Sequence, residues 1–165
     1  VISFEKLHPL LTEHYRLDWL TQFKLVDIIS LLNPGLANPD PVDAAKLVNE
    51  MMSKIMRSQA ISWGIQDQTT KSLIGMTTIS NFEKSQATIE LSLQENVIES
   101  FNYAELLDYL FQLLGQHLQI TQLIISLETN SSGIIHQLQA LPTNKFFIAT
   151  KSAQLTISSQ THFQA

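Results

Sequence analysis

Gln86-Ala87-Thr88-Ile89-Glu90-Leu91-Ser92-Leu93, the helical stretch Tyr103 to Leu118 and the β-branched run Thr121 to Leu127 decide the fold. In the first, apolar residues alternate with Glu90 and Ser92, the period of a half-buried strand. In the second, Tyr103, Leu107, Leu110, Leu114 and Leu118 recur at helical spacing, while Glu105, Asp108, Gln112 and Gln116 fall away from the stripe. Strand, long helix and strand in this order make a crossover, which joins two parallel neighbours in one sheet.

Working outward, Ala60 to Gln66 and Ser72 to Ser80 are also strand-like. The polar connectors Asp67 to Lys71 and Asn81 to Ser85 separate the three runs, so they read as an antiparallel meander leading into the crossover. Upstream, Asp43 is the expected cap of a helix carrying Ala44, Leu47, Val48, Met51, Met52, Ile55 and Met56. The apolar cluster Leu25 to Leu32 stops at Asn33-Pro34-Gly35, and Pro39 and Pro41 are expected to keep the chain non-helical up to Asp43. At the N-terminal end, Phe4 to Leu11 reads as a strand; Thr12 and Glu13 then suggest a helix start for Tyr15, Trp19, Leu20 and Phe23. Downstream, a short helix over Ser131 to Leu141 ends at Pro142, and Lys145 to Thr150 with Gln154 to Ser158 form a hairpin. The prediction is a single α+β domain over 1–165, built on a mixed, mostly antiparallel sheet flanked by helices.

Composition excludes several chemistries. With no cysteine among 165 residues there are no disulfides, thiolate zinc sites or cysteine nucleophiles, and an intracellular, cytoplasmic location is expected. The net charge of −5 and the lack of any basic run argue against nucleic-acid and anionic-membrane partners. No stretch approaches the roughly 18 uninterrupted apolar residues of a membrane span, and Val1 to Leu11 lacks the basic-then-apolar order of a signal peptide. Glycines 35, 64, 75, 115 and 133 are too far apart for a glycine-rich phosphate loop. Histidines 8, 14, 117, 136 and 162 form no i, i+4 ligand pair with a nearby carboxylate, so no metal is expected, and no serine sits in a Gly-x-Ser-x-Gly elbow.

Several stretches together resemble the GCN5-related N-acetyltransferase (GNAT) superfamily, in particular its ribosomal-protein N-acetyltransferase branch, across nearly the whole chain. Leu7-His8-Pro9-Leu10-Leu11-Thr12-Glu13 is similar to the family's first strand and helix start. Trp63-Gly64-Ile65 and Leu73-Ile74-Gly75-Met76 are similar to its second and third strands. Tyr103-Ala104-Glu105-Leu106-Leu107 resembles the helix that follows its cofactor loop, and Ile125-Ser126-Leu127-Glu128-Thr129-Asn130-Ser131-Ser132 resembles its fifth strand with the terminal asparagine. The resemblance implies a GNAT-like fold and direct attack of a small-molecule or peptide amine on acetyl-CoA, with homodimerisation left open. It also implies that strand backbone near Leu91, Ser92 and Leu93 and the side chain of Asn130 hold the cofactor arm. Glu90, or water, would take the amine proton, and His136 stands in for the family's acid at the neighbouring position Gln137. The default reading of a strand carboxylate such as Glu90 is solvent-facing and that of a lone His136 is a surface or packing residue, while Asn130 reads equally well as a helix cap.

The family's loop glycines, which let backbone amides approach a pyrophosphate, align with Glu99 and Phe101, and its loop-opening position with Asn96. A carboxylate about 5 Å from one phosphate charge costs on the order of 3 kcal/mol at an effective dielectric near 20, about a hundredfold in affinity. If Phe101 took the left-handed conformation of a glycine, roughly 1 to 2 kcal/mol more would be lost. The surviving anchors expected here are the outward-facing amides of Ser100, Phe101, Asn102 and Tyr103. Two functions stand open: an amine N-acetyltransferase with a divergent cofactor loop, and a binding or regulatory domain that has lost acetyl-CoA.

Overall fold

A computed structural model of the chain describes residues 4–7, 9–32 and 40–160. Thr12 begins a tight hairpin and not a helix: its Oγ1 accepts the Tyr15 amide at 3.1 Å, and its own amide donates to the Tyr15 carbonyl at 2.9 Å. The turn joins the two-residue strand β1 (Leu10–Leu11) to β2 (Tyr15–Asp18). The expected helix is absent because Tyr15 and Leu17 alternate inward with period two, and β2 is captured by β3 (Ala60–Asp67), Leu17 opposite Ile65. The strand expected over Phe4 to Leu11 is reduced to a 3-10 turn at Phe4–Lys6 and the short β1; His8 lies outside the described residues.

The apolar cluster is α1 (Leu25–Leu32), and the predicted loop at 33–39 falls outside the described residues. Helix α2 (Pro41–Met56) starts earlier than expected. Asp40, not Asp43, caps it by accepting the Val42 amide at 2.9 Å, and Pro41 occupies the first turn, where its missing N–H costs nothing. The meander appears as β3, β4 (Leu73–Glu83) and β5 (Gln86–Leu93), followed by α3 (Tyr103–Leu118), β6 (Gln122–Ser126), α4 (Ser132–Gln139), β7 (Phe146–Lys151) and β8 (Gln154–Ser159).

Among the described residues the strands form one eight-stranded sheet in the order β1-β2-β3-β4-β5-β6-β8-β7, antiparallel throughout except for the pair β5 and β6. The inward stripe of α3, widened by Leu106 and Phe111, joins Trp63, Ile89, Leu91, Leu123 and Ile125 in the main core. Trp63 is fully buried, and its indole N–H donates to the Leu7 carbonyl at 2.7 Å, so its one polar atom is satisfied. A second core joins Leu20, Ile28, Leu31, Val48, Leu73 and Met76, holding α1 and α2 to β4; of the methionine stripe of α2, Met51 and Met52 pack against it and Met56 is exposed. Among the described residues, no helix is long and apolar enough to cross a membrane.

Gly75 pairs with Leu93 at the end of β5, where an added Cβ would stand 2.5 Å from both the Ser92 carbonyl oxygen and Leu93 Cδ2. The backbone oxygen cannot rotate away. Gly75→Ala is therefore expected to destabilise the fold by about 1–3 kcal/mol, read as a lower urea midpoint at unchanged slope; an unshifted midpoint would refute this packing.

Candidate active site

Strands β5 and β6 pair through only three positions: Gln86 with Gln122, Ala87 with Leu123 and Thr88 with Ile124. Beyond Thr88, β5 stays in register with β4 as far as Leu93 opposite Gly75 and no longer pairs with β6. Backbone groups of successive strand residues point to alternate edges. The Glu90 carbonyl accepts the Thr77 hydroxyl at 2.9 Å, and the Gln94 amide reaches the Ile74 carbonyl at 2.9 Å, so the even-numbered residues face β4. Leu91 and, by the same alternation, Leu93 turn their N–H groups into the split.

Asn130 bridges the split. Its Oδ1 accepts the Leu91 amide at 3.2 Å, and its Nδ2 donates to the Ser126 carbonyl at 2.8 Å. One side chain thus ties β5 to the end of β6 where the ladder has ended. The helix-cap reading of Asn130 is not what the bonds describe: Ser131 occupies the cap position of α4, without a side-chain cap bond.

The segment from Gln94 to Asn102 leads from β5 into α3. A 3-10 turn at Glu95–Val97 lets the Val97 carbonyl accept the amides of Ser100 at 3.1 Å and Phe101 at 2.9 Å. The Asn102 amide donates to Tyr15 Oη at 2.8 Å, and the Tyr103 amide to the Phe101 carbonyl at 3.2 Å. These are the four amides expected to face outward, and each is bonded within the chain. The correction has a physical origin. Phe101 is not among the residues with positive φ; it is buried, stacked on Tyr15 with ring centroids 4.5 Å apart and edge-on to Tyr103 at 5.0 Å, and this cluster draws the loop inward.

Between this turn and α4 lies a cleft of about 440 Å³, lined by Glu95, Asn96, Ile98, Glu99, residues 131–133, His136 and Gln137. Its walls are close: a Cβ on Gly133 would meet Ile98 Cγ2 at 3.2 Å. The charged groups lining it are Glu95 and Glu99, with neither lysine nor arginine among the described lining residues.

No family model matches the chain, and no curated protein matches it by sequence. Solved structures do. A protein from Vibrio cholerae assigned as a ribosomal-protein-serine acetyltransferase superposes with a TM-score of 0.71 at 15% identity, covering 92% of this chain and 96% of that one. The microcin C7 self-immunity acetyltransferase MccE, in complex with acetyl-CoA and AMP, gives 0.62 at 16% identity over 90% and 92%. An acetyltransferase from Agrobacterium tumefaciens gives 0.60 at 16% identity over 91% and 92%. The chain has the GNAT fold.

On this GNAT fold the residues singled out in the sequence separate into groups. Leu91 and Asn130 meet at the split; Ser92 turns its backbone toward β4. Glu90 is exposed between the buried Ile89 and Leu91, and His136 is exposed on α4 and lines the acidic cleft, of which Glu90 is not a lining residue. Ser100, Phe101, Asn102 and Tyr103 build the closed turn.

A cluster that sequence reasoning missed lies beside that turn. Glu105 Oε2 accepts the Thr12 hydroxyl at 2.6 Å and the His14 amide at 3.0 Å, while Oε1 meets His14 Nδ1 at 2.6 Å. Burial pushes the Glu105 carboxyl up, but the bonds from Thr12 and His14 outweigh it and hold it below its usual value. The hydrogen bond to Glu105, and then its charge, raise His14. Glu13 completes a trio whose ligating atoms lie within 4.8 Å of one another, a proximity the direct His14–Glu105 bond already uses. Burial also raises both nearby tyrosines, Tyr103 to about 12. The Tyr103 hydroxyl stays protonated and donates to the Ile98 carbonyl at 2.5 Å.

The pair predicts a stability window. His14, raised in the fold, contributes fully below its unfolded value near 6.5 and loses that contribution as pH rises through its folded value. Glu105, lowered, contributes above its unfolded value near 4.5 and loses it as pH falls through its folded value. The stability difference between the parent and His14→Ala, measured by urea unfolding, is therefore largest between those two unfolded values and shrinks on either side. A difference flat from acid to alkaline pH would contradict the coupling.

Proposed function

We propose that the protein is an N-acetyltransferase that moves the acetyl group of acetyl-CoA onto a primary amine by direct attack. The observation that carries this reading is the split between β5 and β6, with the Leu91 N–H turned into it and already holding a carbonyl oxygen, that of Asn130. The neighbours in fold are acetyltransferases, one of them solved with acetyl-CoA, which supports the same reaction class.

In the reaction, the amine lone pair forms a C–N bond at the thioester carbonyl carbon and the C–S bond breaks. Leu91 N–H donates to the carbonyl oxygen as it gains charge; loss of a single such donor typically costs about 10²–10³ in kcat. Asn130, anchored through Nδ2 to Ser126, orients the donor arm after its Oδ1 yields Leu91. Glu90 or water accepts the proton released by the amine, and His136 returns a proton to the departing thiolate. A small-molecule or peptide amine is the acceptor, and the net charge of −5 favours a cationic one.

One observation favours a second reading, a GNAT-fold binding or regulatory domain without turnover: the amides of Ser100, Phe101, Asn102 and Tyr103 are consumed within the chain. Labelled acetyl-CoA offered with peptide N-termini, polyamines, antibiotic amines and small metabolites separates the two. The expected outcome is transfer to at least one class, lowered roughly 10²-fold in kcat by His136→Ala, at the low end of positioned acid–base catalysis. Transfer at background for every class would leave the second reading.

A further inference from the structure

Resting on the transferase reading above, we infer that the site selects its donor as a thioester on a neutral, pantetheine-type arm and gives no recognition to a diphosphate. The two halves of the donor path are built for opposite chemistries. In the split between β5 and β6, the groups on offer are a backbone N–H and a side-chain amide: Leu91 N–H donates to Asn130 Oδ1 at 3.2 Å, with Nδ2 held on Ser126 at 2.8 Å. An amide oxygen on that N–H is the chemical stand-in for the amide and thioester carbonyls of such an arm. These uncharged bonds need no counter-charge from the ligand.

The other half, at the start of α3, opposes phosphate on three counts. The amides of Ser100, Phe101, Asn102 and Tyr103 are each bonded within the chain. Phe101, only 5% exposed between Tyr15 and Tyr103, fills the turn. The cleft beside it is lined by the carboxylates of Glu95 and Glu99, with His136 on its α4 wall and neither lysine nor arginine among its described lining. A diphosphate entering there meets like charge and must displace hydrogen bonds and a stacked ring to reach these four amides, whereas a neutral arm ending short of the turn meets none of this.

Calorimetric titration of the full chain with S-acetylpantetheine, S-acetyl-4′-phosphopantetheine and acetyl-CoA tests the inference, because the three donors share the arm and differ in phosphate charge. Acetyl-CoA is expected to bind no more than about threefold tighter than S-acetylpantetheine, and to tighten as salt is raised while the neutral donor does not. A preference for acetyl-CoA of about a hundredfold would overturn the inference and leave the transferase reading standing. The Glu95→Gln, Glu99→Gln double variant, altered only at exposed positions, is expected to bind acetyl-CoA about tenfold more tightly and S-acetylpantetheine unchanged; equal effects on both donors would overturn the inference. Binding of S-acetylpantetheine with acetyl transfer to no amine would support the arm selectivity and sink the transferase reading, and failure of all three donors to bind would overturn both.

Discussion

The parallel pairing of β5 with β6 spans three positions, and the whole candidate site depends on where it stops. A parallel neighbour cannot be reached through a hairpin, so the 16-residue helix α3 must carry the chain back along the sheet. That requirement puts the end of β5, the start of α3, the end of β6 and the start of α4 at one end of the molecule. Ligands in open sheets gather at such carboxyl ends of parallel strands. Here β5 continues in register with β4 as far as Leu93 after leaving β6, and the unpaired edge of β5 becomes one wall of the split. Asn130 is the side-chain substitute for the ladder that has ended.

At the same end, the N-terminus of α3 presents a surplus of donors and a positive partial charge, a combination that ordinarily invites an anion. This chain answers that demand with its own groups. Asn102 caps the Glu105 amide at 3.0 Å, the Tyr15 hydroxyl takes the Asn102 amide, and the Glu105 carboxylate sits in the first turn with Thr12 and His14 bonded to it. A side-chain cap alone contributes about 0.5–2 kcal/mol. The helix start is thus stabilised without a ligand, by residues of the β1–β2 hairpin some ninety positions earlier in sequence.

Most of this architecture is legible in the sequence where periodicity is strong. The bounds of α3, Tyr103 to Leu118, and of β5, Gln86 to Leu93, coincide with the pattern because each buries one face against a single core. Thr12 misled because a hydroxyl that accepts an amide serves a hairpin as well as a helix cap; only pairing of Leu17 with Ile65 decides between them. Asp43 misled because the preceding proline reads as a breaker, although Pro at the first helical position is favoured and Asp40 stands where a cap is needed. In the site, Glu99 and Phe101, at the positions that the resemblance aligns with loop glycines, are visible in one dimension. The closure they permit is not, since it requires Tyr15 and Phe101 to be stacked.

That stacking has a further consequence for how the two halves of the site relate. The turn before α3 is held by the hairpin through Tyr15 and Glu105, whereas the split is held by Asn130 between β5 and β6. The two sets of bonds share no side chain, so the turn and the split are held by separate anchors. The groups turned into the split are uncharged, whereas the turn is bonded to its own chain beside a cleft lined by two carboxylates.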